Sequence, residues 1–320
     1  MRMPLIGTML ALLGSSGLAQ TPQVVFIQVE PDIRLEVLDW GGTGQPVVLL
    51  AGNTRTAHDF SEFAPRLAST YHVYGITRRG FGSSSAPASG YSADRLGDDV
   101  LAVIDSLGLT RPVLAGHSLA GEELSSIGSR HPEKVAGLVY LDAANSYAFY
   151  DTTRGDYRID RNEVVRGLEQ LRVASSMGVA EEMHRLTSRL LLTDLPALER
   201  SLREIEKRTP SISSRPPTPY MPPPETGVNR LLHDGMQRYT DIRAPVLAIY
   251  ALGSISSNPA ATDDPGRERV LRALKRGAPT ARVVVLPDAT HDVFRSNEAD
   301  VLRAMRAFID SLPGRLMTPP

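Results

Sequence analysis

The stretch PVLAGHSLAGEELSSIG, Pro112 to Gly128, holds the residue whose type and setting point most directly to chemistry. A short apolar run climbs into Gly116-His117-Ser118 and turns at once into a segment of helical character. A serine at such a joint is either a cap for the helix that follows or a nucleophile held where a substrate reaches it. Small residues around it favour the nucleophile: Gly116 lies two before Ser118, and Ala120 and Gly121 lie two and three after it. This is the G-x-S-x-G nucleophile elbow with alanine in its last place, a strand-to-helix turn that exposes the hydroxyl. The five-residue pattern is weak alone and much stronger between a buried strand and a helix. A hydroxyl is a poor nucleophile at neutral pH, so such a serine needs an imidazole to take its proton.

Composition narrows the setting. The 320 residues include no cysteine, which excludes disulfides, thiolate metal sites and a cysteine nucleophile. A formal net charge of −1 gives no electrostatic case for a nucleic-acid partner. With 42% hydrophobic and 22% charged residues, the chain is long enough for one large core or a core plus a subdomain. Residues 1–19 read as a signal peptide: Arg2 supplies a positive start, Pro4 to Leu13 an apolar stretch, and Gly17-Leu18-Ala19 small residues at a cleavage site. The apolar run is shorter than the ~20 residues that span a bilayer. The expectation is therefore export without a stable membrane anchor, the mature chain beginning near Gln20; a buried first helix is the alternative.

The elements that must position Ser118 alternate. IRLEVLDW (Ile33 to Trp40) alternates apolar and polar residues like a half-exposed strand, and PVVLLAG is a continuous apolar run, as in a strand buried on both faces. HDFSEFAPRLAST has helical spacing at Phe60, Phe63 and Leu67; YHVYGIT is a further strand. A helix is expected over Ser92 to Leu107, then the strand PVLAG, the elbow helix and the strand VAGLVYLDA. After a break the rhythm resumes with APVLAIYAL, a helix ending at Gly277, ARVVVLP, and a terminal helix with Ser296 as its N-cap. This order predicts an α/β fold with a mostly parallel central sheet and helices on both faces. Residues 20–144 and 241–320 form the expected core. The break, 145–240, is rich in Arg and Glu, has helical periodicity, and passes through SSRPPTPYMPPPETG, which forms neither helix nor central strand. It reads as an inserted helical lid over the sheet's carboxyl edge, where open parallel sheets bind their ligands; a decoration elsewhere on the fold is the alternative.

From about Ile33 to Leu312 the chain resembles the α/β-hydrolase family. VVLLAGNTRTAHDF is similar to that family's strand and oxyanion loop, with Ala51-Gly52 where His-Gly is common; TRRGFGSSS matches its Arg-Gly-x-Gly-x-Ser loop. The resemblance implies oxyanion donors at the backbone N–H groups of Asn53 and Leu119, and a catalytic histidine after the last strand, which is His291 in VVVLPDATHDVF. His117 reads as structural, and His58, His72, His131, His184 and His233 as surface or lid residues. Family members usually carry the acid after APVLAIY, where Asp263 and Asp264 come some ten residues late and Asp264 also looks like a helix cap. The other position is the end of the preceding strand, Asp142, whose plainer role is that of a buried structural aspartate. Asp142 is the favoured acid and the pair the alternative. Glu122, four after Ser118, is expected to bond to loops near the elbow.

The resemblance thus implies hydrolysis of a small-molecule carboxylic ester, or a related acyl bond, through a Ser118–His291–acid triad, without metal or cofactor. A serine argues against the dehalogenases and epoxide hydrolases of the fold, which need a carboxylate nucleophile. C–C hydrolase or perhydrolase activity with the same triad stays open, as does a slow or non-catalytic binding protein. Neither the acyl and alcohol groups nor the oligomeric state follows from the sequence.

Overall fold

Hydrophobic runs bounded by turn residues become eight strands of one sheet. In the computed structural model, residues 21–143, 149–208, 227–255 and 265–313 are described. The expected leader, the Asp263/Asp264 pair and parts of the insertion lie outside them. The first four strands are β1 (Gln23–Glu30), β2 (Ile33–Asp39), β3 (Pro46–Leu50) and β4 (His72–Ile76). They are followed by β5 (Val113–His117), β6 (Gly137–Leu141), β7 (Val246–Ala251) and β8 (Arg282–Leu286). The order across the sheet is β1-β2-β4-β3-β5-β6-β7-β8. Pairings from β4 to β8 are parallel, and only β1/β2 and β2/β4 are antiparallel.

Helices cover both faces: α1 (Ala64–Ala68), α2 (Ala93–Ser106) and α3 (Gly121–Arg130) come before β6. Between β6 and β7 run α4 (Tyr157–Ser176), α5 (Ala180–Arg189), α6 (Leu195–Arg208) and α7 (Gly227–Asp234). The remainder are α8 (Leu252–Ile255), α9 (Pro265–Gly277), α10 (Val293–Ser296) and α11 (Glu298–Asp310). Alternation along β3 divides the core: Val48 and Leu50 face a cluster with residues of α2, α3 and α9, whereas Val47 and Leu49 face one with α1 and α11. Both faces of the central strands are therefore dry, as their unbroken apolar runs require. No helix among the described residues is long and apolar enough to cross a membrane.

Two local expectations are corrected. The spacing of Phe60, Phe63 and Leu67 does not make one helix; a 3₁₀ turn at Ala57–Phe60 precedes the short α1. Pro65, in the first turn of α1, has no N–H to continue a longer helix, so all three side chains are buried from two short pieces. Ser296 does not cap α11, whose N-cap is Asn297. Its hydroxyl instead accepts the Thr290 N–H at 3.1 Å, which pins the loop before α10. By contrast Ser92 caps α2 as its type predicts, accepting the Arg95 N–H.

The inserted helices are fastened by buried charge. Arg238, on the return to β7, meets Asp160 of α4 and Asp194 at 2.9 Å each, both carboxylates fully buried. Leu232 of α7 packs with Tyr91, Leu96 and Leu119. Part of the insertion thus lies against the residue that follows Ser118.

Candidate active site

β5 ends at His117, and Ser118 takes a left-handed backbone conformation, φ 52°, before a 3₁₀ turn leads into α3. That conformation costs a residue with a Cβ about 1–2 kcal/mol, and the small neighbours make it attainable. A methyl group on Gly116 would lie 3.0 Å from the Ala120 Cβ and 3.1 Å from the Ala120 carbonyl oxygen, so strand and helix approach only because it is glycine. Opposite the elbow, a methyl on Gly52 would lie 3.2 Å from the Ser118 Cβ. The loop after β3 therefore rests against the serine at the residue before Asn53.

Asp142 follows β6 with φ 49° and is buried. Its two oxygens divide two tasks. Oδ1 accepts the Ala251 N–H of β7 at 2.9 Å, and Oδ2 lies 2.6 Å from Nδ1 of His291. The Asp142 hydrogen bond is the chief cause that raises the His291 pKa above the ordinary 6.5, against the opposing effect of burial. The His291 side chain remains 53% exposed. His117 is buried, and its pKa is pushed down to about 4, first by burial and then by the neighbouring His291. It stays neutral at working pH. The structure thus sets Asn53, Ser118 with Leu119, and Asp142 beyond the carboxyl ends of β3, β5 and β6, with His291 against Asp142 and its ring 4.6 Å from that of His117.

Arg78, in the TRRGFGSSS loop, has a task that the motif alone does not assign. Its guanidinium donates to the carbonyl oxygens of Ala51 at 2.9 Å and Gly52 at 3.2 Å, and it pairs with buried Glu123 of α3. Arg78 therefore holds the peptide groups that lead into Asn53. The signal was available: an arginine just after a buried strand, facing a helix with two adjacent glutamates. Replacing Arg78 with Met should cost about 3–5 kcal/mol, because Glu123 is left buried and unpaired. Urea denaturation should show the double variant with Glu123→Leu recovering most of that loss.

Glu122 does bond near the elbow: its Oε2 accepts the Gln237 N–H at 3.4 Å, a long contact. Burial raises its pKa well above the ordinary 4.5 and so favours the protonated acid. An acid whose folded pKa is raised binds its proton more tightly when folded, so stability falls as pH rises above the unfolded value. Glu122→Gln should therefore melt higher than the wild type at pH 8, with the difference shrinking towards pH 4.5. Melting curves across that range check it; a constant difference would mean that Glu122 does not titrate.

Comparison with known proteins agrees with this architecture. The sequence profile of the alpha/beta hydrolase family matches residues 47–304. The chain is 25% identical over 272 residues to a 2-(acetamidomethylene)succinate hydrolase of Mesorhizobium japonicum, covering 84% of this chain and 90% of that one. It is 31% identical over 116 residues to a fluoroacetate dehalogenase of a Burkholderia species, covering 35% of this chain and 38% of the relative. Several curated relatives are matched, like that one, over less than half of their own length. A thermophilic esterase from Thermogutta terrifontis superposes with a TM-score of 0.56 at 19% identity, over 90% of this chain and 98% of that one, a likeness of fold alone. With a family profile spanning well over half of its length, the chain belongs to the alpha/beta hydrolase family.

Proposed function

We propose that the protein cleaves a carboxylic ester of a small molecule, or a related acyl bond, through an acyl-enzyme on Ser118. His291 takes the serine proton and returns it to the leaving alcohol, Asp142 orients His291, and the N–H groups of Asn53 and Leu119 hold the oxyanion. The observation that carries this reading is the 2.6 Å contact between Asp142 Oδ2 and His291 Nδ1, with the other Asp142 oxygen anchored on β7. A purely structural aspartate has no need of an exposed histidine as its second partner. The test is a panel of p-nitrophenyl esters of increasing chain length, run beside labelling with a fluorophosphonate. Rapid labelling of Ser118 with hydrolysis of at least one ester is the expected result. An unlabelled serine would favour a binding protein instead.

Two further parts belong to the proposal. The insertion acts as a lid, a role supported by the packing of Leu232, with Val228 and Leu231 beside it, against Leu119. The chain is exported after cleavage near Ala19, which rests on the pattern of residues 1–19 alone. Mass spectrometry of the protein from periplasm or medium should find an N-terminus near Gln20, and full-length cytoplasmic protein alone would overturn export.

A further inference from the structure

A base loop must be held to a few tenths of an ångström for proton transfer, yet one hydrogen bond from Asp142 fixes only the His291 ring. The backbone that carries the ring is held elsewhere. His117 Nε2 donates to the His291 carbonyl oxygen at 3.0 Å, and the two rings stand 4.6 Å apart. The next residue, Asp292, has Oδ1 2.9 Å from Arg55 Nη1 and 3.5 Å from His117 Nε2. Its Oδ2 accepts from Arg55 Nη2 at 3.1 Å. Arg55 belongs to the loop after β3, two residues beyond Asn53, and follows Thr54, whose φ of 60° turns the chain. Three loops, from β3, β5 and β8, are therefore tied together directly behind the serine. In the sheet, β3 and β8 are separated by β5, β6 and β7, so no ladder hydrogen bond performs this task.

We infer that Arg55, Asp292 and His117 form a clamp of positioning residues, which sets His291 and the oxyanion loop against Ser118 for the reaction. The inference rests on the function proposed above. A partly exposed ion pair of this kind contributes little to stability, so stability alone does not account for it. Asp292 and Arg55 flank the base with opposite charge. Asp142 and Asp292 favour the protonated ring of His291, and Arg55 opposes it; His117 is neutral. Asp59 and Arg295 complete the surroundings, Asp59 3.0 Å from Arg55 and Arg295 3.7 Å from Asp59.

The experiment has two readouts on the full chain: the NMR titration of the His291 ring, and the rate of fluorophosphonate labelling. Asp292→Asn removes a favouring charge and should lower the His291 midpoint. Arg55→Met removes an opposing one and should raise it. The double variant should return close to the wild type. Asp292→Ala should slow labelling about 10- to 100-fold, the scale of an ångström of misplacement, with little change in melting temperature, and His117→Phe should slow it likewise in protein that remains folded. Midpoints that do not move, or that move the same way in both variants, overturn the clamp. So does an unchanged labelling rate in folded Asp292→Ala. If the wild-type serine resists labelling while the midpoints move in opposite directions, the hydrolytic reading falls while the tie between the three loops stands.

Discussion

Ser118→Ala is expected to lose all measurable ester hydrolysis, about a million-fold for the serine of a well-studied triad, and all fluorophosphonate labelling. The fold should be untouched. Ser118 is half-buried, alanine keeps its Cβ, and alanine meets the same left-handed strain at φ 52°. Ser118→Gly separates the two consequences of that strain. Glycine relieves about 1–2 kcal/mol but loses about 0.5–1 kcal/mol through its freer unfolded chain. The glycine variant should therefore be equal to or up to about 1.5 kcal/mol more stable than the wild type, and equally dead. Thermal melts and esterase assays on both variants check this. Half the wild-type rate remaining in either would place the nucleophile elsewhere.

What the sequence disclosed here follows from the range of each interaction. The elbow is local: Gly116, Ser118 and Ala120 sit within five residues, and steric limits alone dictate where glycine must stand. The central strands are legible because a strand buried on both faces must be apolar throughout, and PVVLLAG or APVLAIYAL allows little else. The position of His291 needed the resemblance, since nothing local distinguishes it from six other histidines. Contacts between distant segments were not legible. Arg78 holding the loop after β3, and Asp292 meeting Arg55, join residues 26 to 237 positions apart. The Ser296 hydroxyl shows the same limit, since its type suits a helix cap and tertiary geometry gives it to Thr290 instead.

The choice of acid turns on the last substitution, Asp142→Asn. Asparagine keeps the size and the oxygen that accepts from Ala251, so the link to β7 survives. Facing His291, it offers an amide N–H where a carboxylate accepted the proton on Nδ1, and the imidazole is driven to the wrong tautomer. In a serine protease such a change lowers turnover by roughly ten thousand-fold; a smaller loss is expected here because the His291 ring is half exposed. The pH dependence supplies the sign. Asp142 raises the His291 pKa above 6.5, so the acid limb of kcat/KM should lie above that value and move down in the variant. A raised folded pKa also means that the pair stabilises the fold fully below 6.5 and loses that contribution as pH rises through the folded value. The melting difference between wild type and Asp142→Asn should accordingly be largest in acid and fade at alkaline pH. The paired change Asp263→Asn with Asp264→Asn should leave both turnover and melting temperature nearly unchanged, since asparagine caps a helix about as well as aspartate. A dead paired variant beside an active Asp142→Asn would move the acid to the segment after β7 and leave Asp142 as a strand-end anchor.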